Sequence, residues 1–136
     1  MIQITGLDHI VLRTQHLDSM LHFYCDVLGC TVERCLPELG LTQLRAGNAL
    51  IDIVTVNSEL GKLGGAPPSQ DGRNVDHFCL QIEQIEESEL IIYLNRLGIK
   101  FDRFTERYGA QGFGRSVYLS DPENNIVELK PSKEEI

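Results

Sequence analysis

The chain has 136 residues, 42 % of them apolar, which is enough for one soluble domain (1–136) with a sizeable core. Its 12 lysines and arginines stand against 20 aspartates and glutamates, and the formal charge of −8 argues against binding to nucleic acid or to anionic membranes. No apolar run approaches the roughly 20 residues of a bilayer span, and no signal-peptide pattern opens the chain.

The elements follow in order. "DHIVLRT", from Asp8, alternates as a strand should. A helix follows, with Asp18 as its expected N-cap, Leu17, Leu21, Tyr24 and Leu28 on one face, and Gly29 as its stop. "CTVERCL" reads as a strand, and "LTQLRAGNALIDIVTV" as a hairpin turning at "RAGN". The glycine- and proline-rich stretch 58–74 has no apolar periodicity and reads as a linker.

Beyond it the order recurs. "VDHFCLQI" is a strand, Ile85, Leu90, Ile91, Leu94 and Leu97 mark an amphipathic helix, and Gly98 stops it. "IKFDRF" is expected as a strand, "TERYGAQGFGR" as a mobile loop, and "SVYLSDPENNIVELKP" as a hairpin turning at "DPENN". The landmarks keep step: 77 − 9 = 68 residues separate the two strand histidines and 98 − 29 = 69 the two stopping glycines. The expectation is an internal repeat of two βαβββ modules, 5–57 and 75–131, each too small to bury a sheet face alone.

Repetition puts four polar groups at equivalent places. His9 and His77 open the first strand of each copy, and Asp52 and Glu128 sit in the second arm of each hairpin. A carboxylate in an apolar strand is costly unless it is paired or binds a metal. Two imidazoles with one or two carboxylates can hold a divalent ion and leave positions open. The structural alternatives are ordinary hydrogen-bonded strand histidines, and an Asp52 that caps a turn or pairs with Arg13. By alternation Cys79 shares the face of His77, where a free cysteine is usually inert. His16 and His22 have no counterpart in the repeat and read as solvated. Cys25, Cys30, Cys35 and Cys79 lack C-x-x-C spacing and read as reduced thiols of a cytoplasmic protein.

"DHIVLRT" followed by "FYCDVLG", then "DHFCLQI", then "YLSDPENNIVELKP", together resemble the vicinal oxygen chelate superfamily: glyoxalase I, fosfomycin-inactivating thiol transferases, extradiol dioxygenases and bleomycin-sequestering proteins. The likeness spans nearly the whole chain. It implies an α+β fold in which two tandem βαβββ modules form a cupped, barrel-like mixed sheet with helices outside. It also implies a divalent metal (Ni, Zn, Fe(II), Mn or Co) held by His9, His77 and Glu128, with Asp52 at the fourth place. A homodimer acting on a small molecule is expected of members of this size, often with the metal site shared between chains.

Three activities compete under that resemblance. The first is glyoxalase-like isomerisation of a hemithioacetal, with glutathione as cosubstrate, Glu128 or Asp52 as the proton-shuttling base, and Arg13 holding a glutathione carboxylate. Glyoxalases usually carry glutamate where Asp52 stands. The second is an extradiol-type dioxygenase on Fe(II), in which Tyr118, ten residues before Glu128 (128 − 118 = 10), would serve as acid. The third is a thiol transferase or binding protein whose arginines, Arg115 foremost, close over an anion. Cys79 is a further expected contact to substrate.

Overall fold

The repeat is visible in how the strands pair. The computed structural model describes residues 1–133 and divides into two compact units, Met1–Asn74 and the part from Val75 onward.

In the first unit, β1 (His9–Thr14), β2 (Thr31–Leu36), β3 (Leu41–Ala46) and β4 (Ala49–Thr55) form a four-stranded sheet in the order β1-β4-β3-β2. β1 runs parallel to β4, which places Ile10 beside Ile51 and Leu12 beside Ile53. Leu12, Ile51, Ile53 and Leu44 are buried with Met20, Phe23 and Tyr24, so the apolar half of the alternation faces the core. The helix linking β1 to β2 departs from expectation. α1 (Leu17–Leu21) continues as a π-helical stretch, His22–Val27, and His16 rather than Asp18 occupies the N-cap. Asp18 lies in the first turn, where its charge complements the helix dipole. Wide turns such as Leu28 N–H to Phe23 C=O (3.0 Å) re-phase the helix. Its buried stripe is therefore Met20, Phe23, Tyr24 and Val27, not the stripe expected from a regular 3.6-residue repeat.

Residues 58–74 stay with this unit and are folded onto it. A short 3₁₀ turn, Gly61–Gly64, opens the stretch, and the Asn74 side chain closes it. The Asn74 amide accepts from Arg13 N–H (3.1 Å) and donates to Arg13 C=O (2.9 Å), completing the β1 edge as a neighbouring strand would.

The second unit has the same plan. β5 (His77–Ile82), β6 (Thr105–Gly109), β7 (Gly112–Ser120) and β8 (Ile126–Pro131) are ordered β5-β8-β7-β6, with β5 parallel to β8. α2 (Glu87–Arg96) buries Leu90 and Leu94, and Gly98 follows it at φ 70°. Two expectations are corrected. "IKFDRF" contributes only an isolated bridge from Phe101 to Leu119, and the unit's second strand is Thr105–Gly109, inside the stretch expected to be a mobile loop. Side chains explain why that stretch is ordered. Tyr108 and Phe113 meet edge to face at 5.0 Å across the hairpin. Buried Lys130 donates to the carbonyls of Arg107 (2.7 Å) and Gly112 (2.9 Å). A Cβ at Gly114 would sit 3.1 Å from Lys130 Cε, so the glycine makes room for a lysine.

The "DPENN" turn is built by buried Asp121, whose carboxylate accepts from Glu123 N–H (2.8 Å), Asn125 N–H (2.9 Å) and the Asn125 side chain (2.8 Å). Asn124 takes φ 65°, a conformation asparagine tolerates. The architecture is thus α+β with paired βαβββ modules, in the form of two open four-stranded mixed sheets rather than a closed barrel. Among the described residues no helix is long and apolar enough to cross a membrane.

Candidate metal-binding residues

Each unit carries one histidine and one carboxylate in the same geometric relation. In the first, Val11 pairs with Asp52 and His9 lies two positions before Val11, so His9 and Asp52 share a sheet face. In the second, Cys79 pairs with Glu128 and His77 lies two positions before Cys79. His77 Nε2 is 3.6 Å from Glu128 Oε1. Both carboxylates are buried, Asp52 at 4 % and Glu128 at 6 % exposure, while both histidines are exposed at the strand ends.

The preceding aspartates orient the rings. His9 Nδ1 lies 2.7 Å from Asp8 Oδ1, and His77 Nδ1 lies 2.6 Å from Asp76 Oδ2. An ionised carboxylate only accepts, so Nδ1 donates and the neutral ring offers its lone pair at Nε2. Histidines that bind metals are commonly held in this way by a carboxylate behind the ring. The bond to Asp8, and then the charge of Asp52, raise the His9 pKa. Two oriented imidazoles and two buried carboxylates fit a divalent cation by donor chemistry. Each unit supplies a pair, and among the described residues no three His, Cys, Asp or Glu side chains form a metal-holding group.

The neighbours of the two carboxylates differ. Asp52 faces Gln43 on β3, whose Nε2 donates to Oδ1 (3.2 Å) and Oδ2 (3.1 Å). At the corresponding place in the second unit, Glu128 faces Tyr118 on β7. The Tyr118 ring lies 5.4 Å from the His77 ring, and the Arg107 guanidinium sits 3.9 Å above it. Cys79 lies beside Glu128, and desolvation of its sulfur, followed by the Glu128 charge, pushes the thiol up to about 11. It is therefore a neutral thiol near pH 7.

Two arginines expected at the substrate are engaged elsewhere. Arg13 shares the His9 face, but its guanidinium donates to the carbonyls of Gly64 (3.2 Å), Ala66 (3.0 Å), Gly61 (3.1 Å) and Gly65 (2.7 Å). Arg115 lies on the opposite face of β7 from Tyr118, with buried Val117 and Leu119, and forks onto Glu87 in the first turn of α2. Alternation, read in register, removes it from the Glu128 face. Gln43 is the residue the sequence reading missed. Its signal is its place in β3, an amide at a strand position directly opposite a buried aspartate.

Duplicated βαβββ units, each opening on Asp-His and each burying a carboxylate in its last strand, define a two-module α+β protein with donors suited to a divalent ion. The family model of the Glyoxalase/Bleomycin resistance protein/Dioxygenase superfamily matches residues 6–129, and the chain belongs to that superfamily. Solved structures similar to it include an integron cassette protein from V. cholerae, 24 % identical with a TM-score of 0.78, covering 98 % of this chain and 99 % of that one. A lactoylglutathione lyase from Agrobacterium tumefaciens is 22 % identical with a TM-score of 0.68, covering 96 % of each chain. The fosfomycin resistance protein FosX from Listeria monocytogenes is 24 % identical with a TM-score of 0.70, covering 96 % of this chain and 94 % of its own. At such identities the likeness is one of fold.

Proposed function

We propose that this protein is a divalent-metal-dependent, glyoxalase-like enzyme of lactoylglutathione lyase type, isomerising a hemithioacetal formed with glutathione. The observation that carries the reading is the matched pair of half-sites: an Asp-oriented histidine and a buried carboxylate at the same register in each unit. His9, Asp52, His77 and Glu128 would hold the metal, in a homodimeric, cytoplasmic protein. A bound divalent ion supplies Lewis-acid polarisation of adjacent substrate oxygens. Glu128 serves as base, taking a proton from the carbon that bears hydroxyl and sulfur and returning it to the neighbouring carbon. Glu128 is buried, with His77 Nε2 3.6 Å from its Oε1, and its shielding from bulk water supports that role. Tyr118 and Cys79, neighbours of Glu128 across the sheet, bound the space where substrate would lie.

One observation favours a second reading. Gln43 engages both oxygens of Asp52, so a set of His9, His77 and Glu128 alone would suit Fe(II) and an extradiol-type dioxygenase. Elemental analysis of the purified protein with turnover of the methylglyoxal–glutathione adduct tests the choice. Nickel, zinc or cobalt with steady turnover supports the isomerase. Oxygen-sensitive iron without turnover supports ring cleavage. Full metal occupancy in both His77→Ala and Glu128→Ala would remove the site.

A further inference from the structure

The site face of the first sheet carries a row of directly paired residues: Val11 on β1, Asp52 on β4, Gln43 on β3 and Arg34 on β2. Arg34 reaches that row through an irregularity. β2 and β3 pair Thr31 with Arg45 and Val32 with Leu44, and then Arg34, not Glu33, with Gln43. One extra residue on β2 thus skips Glu33 out of the row, and Glu33 pairs instead with Arg45 Nε at 3.2 Å. Bulges commonly re-aim a side chain in this way.

The consequence is electrostatic and directional. In regular register Glu33 would face Gln43 and add a second anion to the row that holds Asp52. A carboxylate there could accept from the Gln43 amide but could not donate to its oxygen. With the bulge, Arg34 Nε donates to Gln43 Oε1. That fixes which way the amide points: oxygen toward Arg34, nitrogen toward Asp52. The nitrogen then bridges both Asp52 oxygens, at 3.2 and 3.1 Å. A buried carboxylate is thereby held in one orientation by a charge-backed donor.

We infer that Gln43, oriented by Arg34 through the β2 bulge, is a positioning residue that sets how Asp52 is presented to a divalent cation. The inference rests on the proposed metal-dependent reading of His9, Asp52, His77 and Glu128. Gln43 occupies the edge between the two Asp52 oxygens, so Asp52 offers a donor only on its outer side. Tyr118 stands at the matching place beside Glu128, and a phenol offers a single O–H where the amide offers an NH2 group. The two carboxylates are accordingly held differently: Asp52 by the Gln43 amide, and Glu128 beside the Cys79 thiol and the His77 ring.

The test titrates Co(II) into the full-length protein and into Gln43→Met, Arg34→Gln, Asp52→Ala and His77→Ala variants, following affinity and the visible spectrum of the bound ion. Gln43→Met keeps the side-chain length and removes the donor. It is expected to bind Co(II) roughly 10–100-fold more weakly, with a spectrum moved toward that of Asp52→Ala. Arg34→Gln, an exposed change that leaves folding alone, is expected to move both readouts in the same direction by about threefold or more. Gln43→Met and Arg34→Gln matching the parent in affinity and spectrum, while Asp52→Ala alters both, would overturn the positioning role and leave the metal reading standing. Asp52→Ala matching the parent while His77→Ala loses Co(II) would take Asp52 off the ion and overturn the inference at its root. A parent that binds no Co(II) would overturn both.

Discussion

Removing the Arg13 guanidinium distinguishes a clamp from a substrate contact. Its NH1 and NH2 groups donate to four backbone carbonyls of residues 61–66, at 3.2, 3.0, 3.1 and 2.7 Å. Three of those bonds are exposed, so a charge-assisted value near the low end, about 1 kcal/mol each, is appropriate. The four bonds sum to about 4 kcal/mol, and the buried Nε, which makes no hydrogen bond among the described residues, offsets about 1 kcal/mol of that. Arg13→Met then loses about 3 kcal/mol of local stability, roughly a hundredfold in the equilibrium for opening the segment. Lys62 lies within the clamped turn, Gly61–Gly64, and is a trypsin site. Cleavage after Lys62, followed by mass spectrometry under conditions where opening precedes cutting, should accelerate about a hundredfold in Arg13→Met. Gly64→Ala should act alike, because its Cβ would come within 2.5 Å of Arg13 Cζ. Cleavage changed less than threefold in Arg13→Met, together with a raised KM for the glutathione adduct, would refute the clamp and return Arg13 to the substrate.

Lys130→Met should lower stability by about 2–4 kcal/mol in urea unfolding, since it deletes two bonds from a buried ammonium to the Arg107 and Gly112 carbonyls. A loss under 0.5 kcal/mol would mean that the β6–β7 hairpin does not depend on it. Asp76→Asn should weaken divalent-metal affinity roughly tenfold, because Asp76 orients the His77 ring; unchanged Zn(II) affinity by calorimetry would count against that role. Among the cysteines, a maleimide at pH 8 should label exposed Cys35 first and Cys30 last. Burial, then the neighbouring Cys25, pushes the Cys30 thiol up to about 11, leaving about one thiolate in a thousand at that pH. Equal labelling rates by peptide mapping would contradict this order.

The sequence was most legible where one period dominates. Alternation in "DHIVLRT" and "DHFCLQI" located β1 and β5 and put their histidines on the faces of Asp52 and Glu128, and the parallel pairings bear that out. It was least legible where long-range contacts override local preference. "TERYGAQGFGR" looked mobile because glycine permits many conformations, yet Gly114 is small for the sake of a lysine sixteen residues later (130 − 114 = 16). Arg13 stood at a position suggestive of ligand binding, but nothing local reveals that residues 61–66 fold back over it. The re-phased helix and the β2 bulge each insert a residue into a regular period, and periodicity reads through such insertions without registering them.

Those insertions bear on function because the two half-sites are alike in register and unlike in surroundings. From His9 to Asp52 the chain runs 52 − 9 = 43 residues, and from His77 to Glu128 it runs 128 − 77 = 51. The eight extra residues do not disturb the site, since the parallel pairing of first and last strand, not loop length, sets where histidine and carboxylate meet. Antiparallel neighbours are free of that constraint. On β3 the place opposite the carboxylate holds an amide backed by Arg34, and on β7 a phenol beneath Arg107. A duplicated frame can thus present equivalent donors while tuning each through the strand beside it. Asp52 is held by its amide neighbour, and Glu128 lies beside the Cys79 thiol and the His77 ring. That difference follows from what faces each carboxylate, Gln43 in the first unit and Tyr118 in the second.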